Sequence, residues 1–185
     1  MFLQIWRFIT LLLAALGLTM GAAHLLELPQ KIGYSPELYA AVNTTLYRYF
    51  GLAGGILTVA AILAAGVLVF LSRRHPSFGL ALAGTLCLAF SFLLWLALVS
   101  PVNTEVAHAL QSAPETVPGV WMRLRDRWEY GHVAAFSAWL VGFSLLLLAL
   151  LREIPVELPD PSAATEPGRE AEPIRPLGGR PQAAA

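Results

Sequence analysis

Residues 78–99, FGLALAGTLCLAFSFLLWLALV, contain no charged side chain and no proline. A helix needs roughly 20 apolar residues to cross the hydrocarbon of a bilayer, and this stretch supplies them. Lipid offers the backbone no hydrogen-bond partners, so a spanning segment is either a helix or part of a closed barrel. Unbroken Leu, Ala and Phe select the helix. Three further apolar stretches of similar length lie at 8–28, 50–71 and 133–151, the first carrying Glu27 next to its outer end. The sequence therefore predicts an all-α fold, a four-transmembrane-helix bundle within residues 1–152.

The composition agrees: 57% of residues are hydrophobic, 13% are charged, and the mean hydropathy is +0.64. A formal net charge of zero gives no reason to expect nucleic acid or a strongly acidic partner. The single cysteine, Cys87, lies inside an apolar run and has no internal disulfide partner. From residue 153 to 185 the chain turns to Pro, Glu, Ala, Gly and Arg, with too little apolar surface to fold. That tail reads as disordered.

Flanking charges set the orientation. Arg7, the tight Arg73-Arg74 connection and Arg152 fall on one side. Lys31, Arg48, Arg123, Arg125 and Arg127 fall on the other, interleaved with acids. The short basic turn is the stronger signal, so both termini are expected in the cytoplasm, in a bacterial inner or plasma membrane. Arg7, the first apolar run and Gly21-Ala22-Ala23 also resemble a secretory signal cleaved before His24. Continuation of that run through Leu25, Leu26 and Leu28 favours a retained span.

The outward connections look structured. Ser35 followed by Pro36 is a helix start, and that helix is expected to run through Tyr47 and Tyr49 into the second span. Pro101 should end the third span, with Asn103 or Thr104 capping a short helix that Pro114 and Pro118 interrupt. From Gly119, the residues Trp121, Leu124 and Trp128 recur at helical spacing and lead into the fourth span. The two tryptophans suit either interfacial anchoring or stacking on a ligand. Gly17/Gly21 and Gly51/Gly55 are small residues four apart, the spacing that lets helices approach closely.

Three of the four histidines have a glutamate three residues away: His24/Glu27, Glu105/His108 and Glu129/His132. Residues three apart share a helix face. The first span runs outward and the fourth inward, so His24 and His132 should meet at one depth with Glu27 and Glu129 just above. A single metal held by His24, Glu27, Glu129 and His132 is one reading, covered by Glu105 and His108. The second and third spans carry no glutamate, which argues against a di-iron site. A self-satisfied hydrogen-bonded pair at each helix end is another reading. A metal-free base formed by His132 and Glu129 is a third. His75, beside Arg73-Arg74, reads as a solvated loop residue.

Several of these residues match a known pattern. Gly21 with Glu27-x-Pro29, then Pro101-Val102-Asn103, Trp121-x-x-Leu124, and Arg127-Trp128 with His132, together resemble the anthrone-oxygenase-like family of small four-helix membrane proteins. The resemblance covers about residues 8–151. It implies oxidation of an anthrone to an anthraquinone by molecular oxygen with no added cofactor, although most bacterial members have no assigned function. It also implies an active face made of Glu27, Asn103, Trp121, Arg127, Trp128 and His132. His24 and Glu105 have no match in the pattern, and neither does the tail.

On that basis His132, Glu129 and Glu27 are the expected catalytic residues, while Asn103, Trp121, Arg127 and Trp128 hold an apolar aromatic substrate arriving from the bilayer. His132 with Glu129 would remove a proton, Asn103 and Arg127 would bind the developing oxyanion, and the tryptophans would stack on the rings. Two other functions fit the same sequence: a non-enzymatic subunit or assembly partner, self-associating or docking another protein, and a metal- or haem-binding membrane protein. Transport fits poorly, because the second and third spans carry no ionisable residue in their interiors.

Overall fold

The computed structural model describes residues 1–154. The expected tail, 153–185, lies outside the described residues except for Glu153 and Ile154. The elements are α1 (Phe2–Lys31), α2 (Pro36–Thr45), α3 (Tyr47–Leu71), α4 (Phe78–Leu98), α5 (Ser100–Ser112), a 3-10 turn (Pro114–Thr116) and α6 (Val117–Leu151). Four helices are long and apolar enough to cross a membrane: Phe2–Lys31, Tyr49–Leu71, Phe78–Ser112 and Pro114–Leu151. The chain is an all-α, multi-pass integral membrane protein.

The local signals act largely as read. The Ser35 hydroxyl accepts from the Leu38 amide at 3.3 Å, with Pro36 in the first turn of α2. The run into the second span is broken only at Leu46. The third crossing differs from expectation. Its helix breaks at Val99 and restarts at Ser100 with Pro101 in the first turn, so Asn103 and Thr104 lie inside α5 rather than capping it. Proline fits there because its missing N–H would have had no partner. Pro118 likewise starts α6 instead of interrupting a helix.

The four spanning helices form a ring in the order α1, α3, α4, α6. At 35 residues α6 is about 50 Å long, more than the hydrocarbon needs. Its first turns project beyond the bundle and are flanked by α2 and α5. Two apolar cores result. One lies within the bundle, where Ala14, Ala61, Ala65, Leu68, Leu88, Trp139 and Leu146 interlock. The other joins the projecting part of α6 to α2 and α5 through Tyr39, Val102, Val106, Trp121 and Trp128.

Close helix contact is made by glycines, only partly those expected. A Cβ on Gly84 would stand 2.9 Å from the Gly142 carbonyl oxygen, and the converse distance is also 2.9 Å. This is where α4 and α6 touch backbone to backbone. Gly17 and Gly21 receive the rings of Trp139 and Phe136, and the Trp139 indole donates to the Ala14 carbonyl at 2.8 Å. Gly51 and Gly55 pack against nothing within 4 Å, so that expected contact does not form. Large apolar side chains such as Leu52, Ile56, Leu63, Phe70, Leu86 and Phe90 point outward, as a lipid-facing surface requires.

Candidate functional site

Every one of the six helices contributes to one cavity of about 260 Å³, set between the two cores. Eight aromatic side chains wall it: Tyr47, Phe50, Phe92, Trp95, Trp121, Trp128, Phe136 and Trp139. His24, Asn43, Thr58, Ser91, Asn103 and His132 add polar side chains. On one side the wall is thin. Gly51 and Gly55 both line the cavity and lie open on the outer surface of α3, whose packing on α4 is the loosest in the ring.

The histidines meet as the antiparallel geometry predicts. His24 and His132 stack with centroids 3.9 Å apart and rings inclined by 29°. His24 is also stacked on Tyr47 and meets Trp128 edge-on. His132 Nδ1 lies 2.9 Å from the Trp128 carbonyl oxygen. A carbonyl only accepts, so Nδ1 carries the proton and Nε2 is the basic nitrogen.

The glutamates do not join the histidines. Glu129 is fully buried, and its Oε1 accepts from the Tyr39 hydroxyl at 2.7 Å and faces Lys31 Nζ at 3.1 Å. Glu27 Oε2 is 3.9 Å from the same ammonium. Lys31 thus sits between the two carboxylates where a metal was one expectation, and among the described residues no three His, Cys, Asp or Glu converge as a ligand set. A fixed ammonium neutralises a buried carboxylate without an added ion. Neither Glu27 nor Glu129 lines the cavity. The expected His132–Glu129 base pair is absent, since the Trp128 carbonyl takes the imidazole proton and Lys31 takes the carboxylate.

Lys31 is only 3% exposed, and Tyr47 (4.3 Å) and Trp128 (4.6 Å) present ring faces to its ammonium. Its Nζ also donates to the Tyr47 hydroxyl at 3.2 Å. Burial, then the facing Glu129 carboxylate, push the Tyr39 hydroxyl well above the usual phenol range, so it remains a donor. Lys31, Tyr39 and Tyr47 were missed as site residues in the sequence. The available signal was Lys31 four residues after Glu27, at the apolar end of a span.

The remaining expected residues divide. Trp121 and Trp128 are each 3% exposed and line the cavity, which removes interfacial anchoring as their role. Asn103 lines it as well, but its Oδ1 accepts from the Trp128 indole at 2.8 Å, fixing that ring. Arg127 lies exposed and donates to the Ala97 carbonyl at 2.9 Å, away from the cavity. Glu105 pairs with Arg123 on the outer surface, and His108 is exposed nearby, so neither covers the histidines.

Comparison of the chain with protein-family models, curated proteins and solved structures finds no match in any of the three. Function is therefore argued from the cavity itself.

At the opposite end of the bundle, Glu153 accepts hydrogen bonds from Arg7 and Ser77, with His75 Nδ1 at 3.2 Å. His75 is thus tied to the end of α6 rather than simply solvated. Burial alone would raise the Glu153 carboxyl, but the Ser77 and Arg7 hydrogen bonds and the nearby positive charges outweigh it. They hold it below the usual carboxylate range.

Proposed function

We propose that this protein is a membrane oxygenase of the anthrone-oxygenase type, acting on a flat apolar aromatic molecule that enters from the lipid. The observation that carries this reading is His132, which lines an aromatic cavity with Nδ1 engaged and the lone pair left on Nε2. A planar substrate fits walls of Trp and Phe rings, which stack on such molecules with a gain of roughly 0.5–1.5 kcal/mol per pair beyond burial. The open glycine side of α3 supplies the route from the bilayer.

In this reading His132 Nε2 removes a proton from a methylene activated by a conjugated carbonyl. The carbanion gives its electrons to molecular oxygen, a carbon–oxygen bond forms, and His132 returns the proton to give a carbon-bound hydroperoxide. Loss of the second methylene proton and cleavage of the O–O bond release water and leave a carbonyl. One CH₂ and one O₂ become one C=O and one H₂O. The aromatic wall excludes water and limits loss of the abstracted proton. Trp128 orients the base through its carbonyl, and Asn103 holds Trp128.

We place the Arg7–Glu153 end in the cytoplasm, on the basic residues Arg7, Arg73, Arg74 and Arg152. The test is oxygen uptake by protein in lipid nanodiscs supplied with anthrone, set against empty nanodiscs. Protein-dependent uptake that disappears in His132→Ala supports the reading. Uptake equal to that of empty nanodiscs removes it.

A further inference from the structure

The cavity stops at one level on all four spanning helices. Its deepest residues, toward the Arg7–Glu153 end, are Gly17 on α1, Thr58 on α3, Ser91 on α4 and Trp139 on α6. One turn further, Ala14, Ala61, Leu88 and Gly142 are buried and no longer line it. Three of the four residues at the floor are small, so Trp139 alone has the bulk to close it. Helical side chains lean toward the N-terminus of their own helix, which on α6 is the direction of His132. The indole therefore leans up toward the cavity. It is also held in place: a Cβ on Gly17 would stand 2.6 Å from its Cζ2, and its Nε1 donates to the Ala14 carbonyl at 2.8 Å. Below it lies the bundle core, with Ala61, Ala65, Leu88 and Leu146.

A gap between two neighbouring helices is long along their axes and narrow across them. A flat molecule passing from lipid between α3 and α4 thus lies with its long axis along the bundle and one end toward Trp139. The packed core beneath does not yield, because protein interiors are as dense as organic crystals. The cavity volume of about 260 Å³ is itself below the roughly 300–1,000 Å³ of most small-molecule sites, which leaves little slack. We infer that Trp139 is a specificity-determining residue: its indole is the stop that limits how long a flat ligand can be. Seven residues, or about 10 Å of helix rise, separate it from His132. It bears on the far end of the ligand and leaves the reacting carbon to the base. This rests on the reading of the cavity as the seat of a flat apolar molecule and adds the limit on its size.

The test uses anthracene and tetracene, which carry no polar group and differ by one fused ring. Each is equilibrated with protein-containing and empty nanodiscs. Binding is the excess over the empty discs at equal probe concentration in the lipid, so partition cancels. Wild-type protein should bind anthracene at least about tenfold more tightly than tetracene, the scale on which a closed apolar pocket rejects added bulk. Trp139→Leu should tighten tetracene about tenfold and Trp139→Phe about threefold, each leaving anthracene within about threefold. The conservative Phe variant carries the test if Leu unfolds the bundle. Equal affinity of wild-type protein for the two probes, or a preference unchanged in a folded variant, overturns the stop while leaving the cavity reading standing. Binding of neither probe by wild-type protein overturns both.

Discussion

His24 and His132, from the first and last spans, lie face to face with ring centroids 3.9 Å apart. Only His132 has a nitrogen whose protonation the backbone fixes, through the Trp128 carbonyl. The two should therefore differ in role. His132→Ala is expected to lower anthrone-dependent oxygen uptake by about 10²–10⁴-fold, the range for losing a general base. His24→Phe keeps the stacked face and should retain uptake within about tenfold of wild type. Equal losses in the two variants, measured as initial rates on folded protein, would make His24 a chemical participant.

Lys31 and Glu129 form a buried ion pair at 3.1 Å. Removing one partner strands the other charge, which costs roughly 3–5 kcal/mol at buried sites. Lys31→Met should accordingly destabilise the protein strongly, while Lys31→Met with Glu129→Leu should recover much of the loss. Thermal unfolding of the single and double variants in one detergent gives the coupling. Additive losses would mean that the pair is not a coupled unit.

Two sets of glycines should respond in opposite directions. Gly84→Ala and Gly142→Ala place a methyl 2.9 Å from a carbonyl oxygen across the α4–α6 contact, so the helices must separate. Each is expected to cost about 1–3 kcal/mol, as overpacking does. Gly51→Ala and Gly55→Ala meet nothing within 4 Å and should stabilise α3 by about 0.5–1 kcal/mol. Gly55→Leu should leave the fold intact and slow entry of anthrone, read from the initial rate of anthrone-dependent oxygen uptake at low anthrone. Unchanged kinetics would exclude this side of α3 as the entrance.

Glu153 gives the pH dependence of the bundle's other end. Its carboxyl is held below the ordinary value of 4.5, so the folded state binds the proton more weakly than the unfolded chain does. The stabilisation is complete above that value and is lost as pH falls through the lower, folded-state value. Wild-type melting temperature should drop on acidification below about pH 4.5. Glu153→Gln should be less stable at neutral pH by about 1 kcal/mol and lack this part of the acid decline. Parallel pH profiles for the two proteins would show that Glu153 contributes nothing to folded stability.

Much of this architecture was written locally. Four long apolar runs have one solution in lipid, the helix, and their number returns the chain near Arg152 to the side it left at Arg7. The opposed directions of the first and last spans also put His24 level with His132, because helix rise depends only on residue count. What each charged or polar side chain does was not legible, because that depends on partners distant in sequence. Glu129 and Glu27 suggested a metal, yet Lys31 supplies the positive charge. Arg127 and Trp128 are adjacent in the chain, but one donates outward to Ala97 and the other walls the cavity. The Gly51/Gly55 spacing looked like a packing face, but those residues line the cavity and meet no other helix. Periodicity fixes which residues share a face, whereas the neighbour that face meets is decided only when the helices pack. The fold thus came from composition and length, and the site came from the tertiary arrangement, since hydrogen bonds and ion pairs act over a few ångströms between residues far apart in the chain.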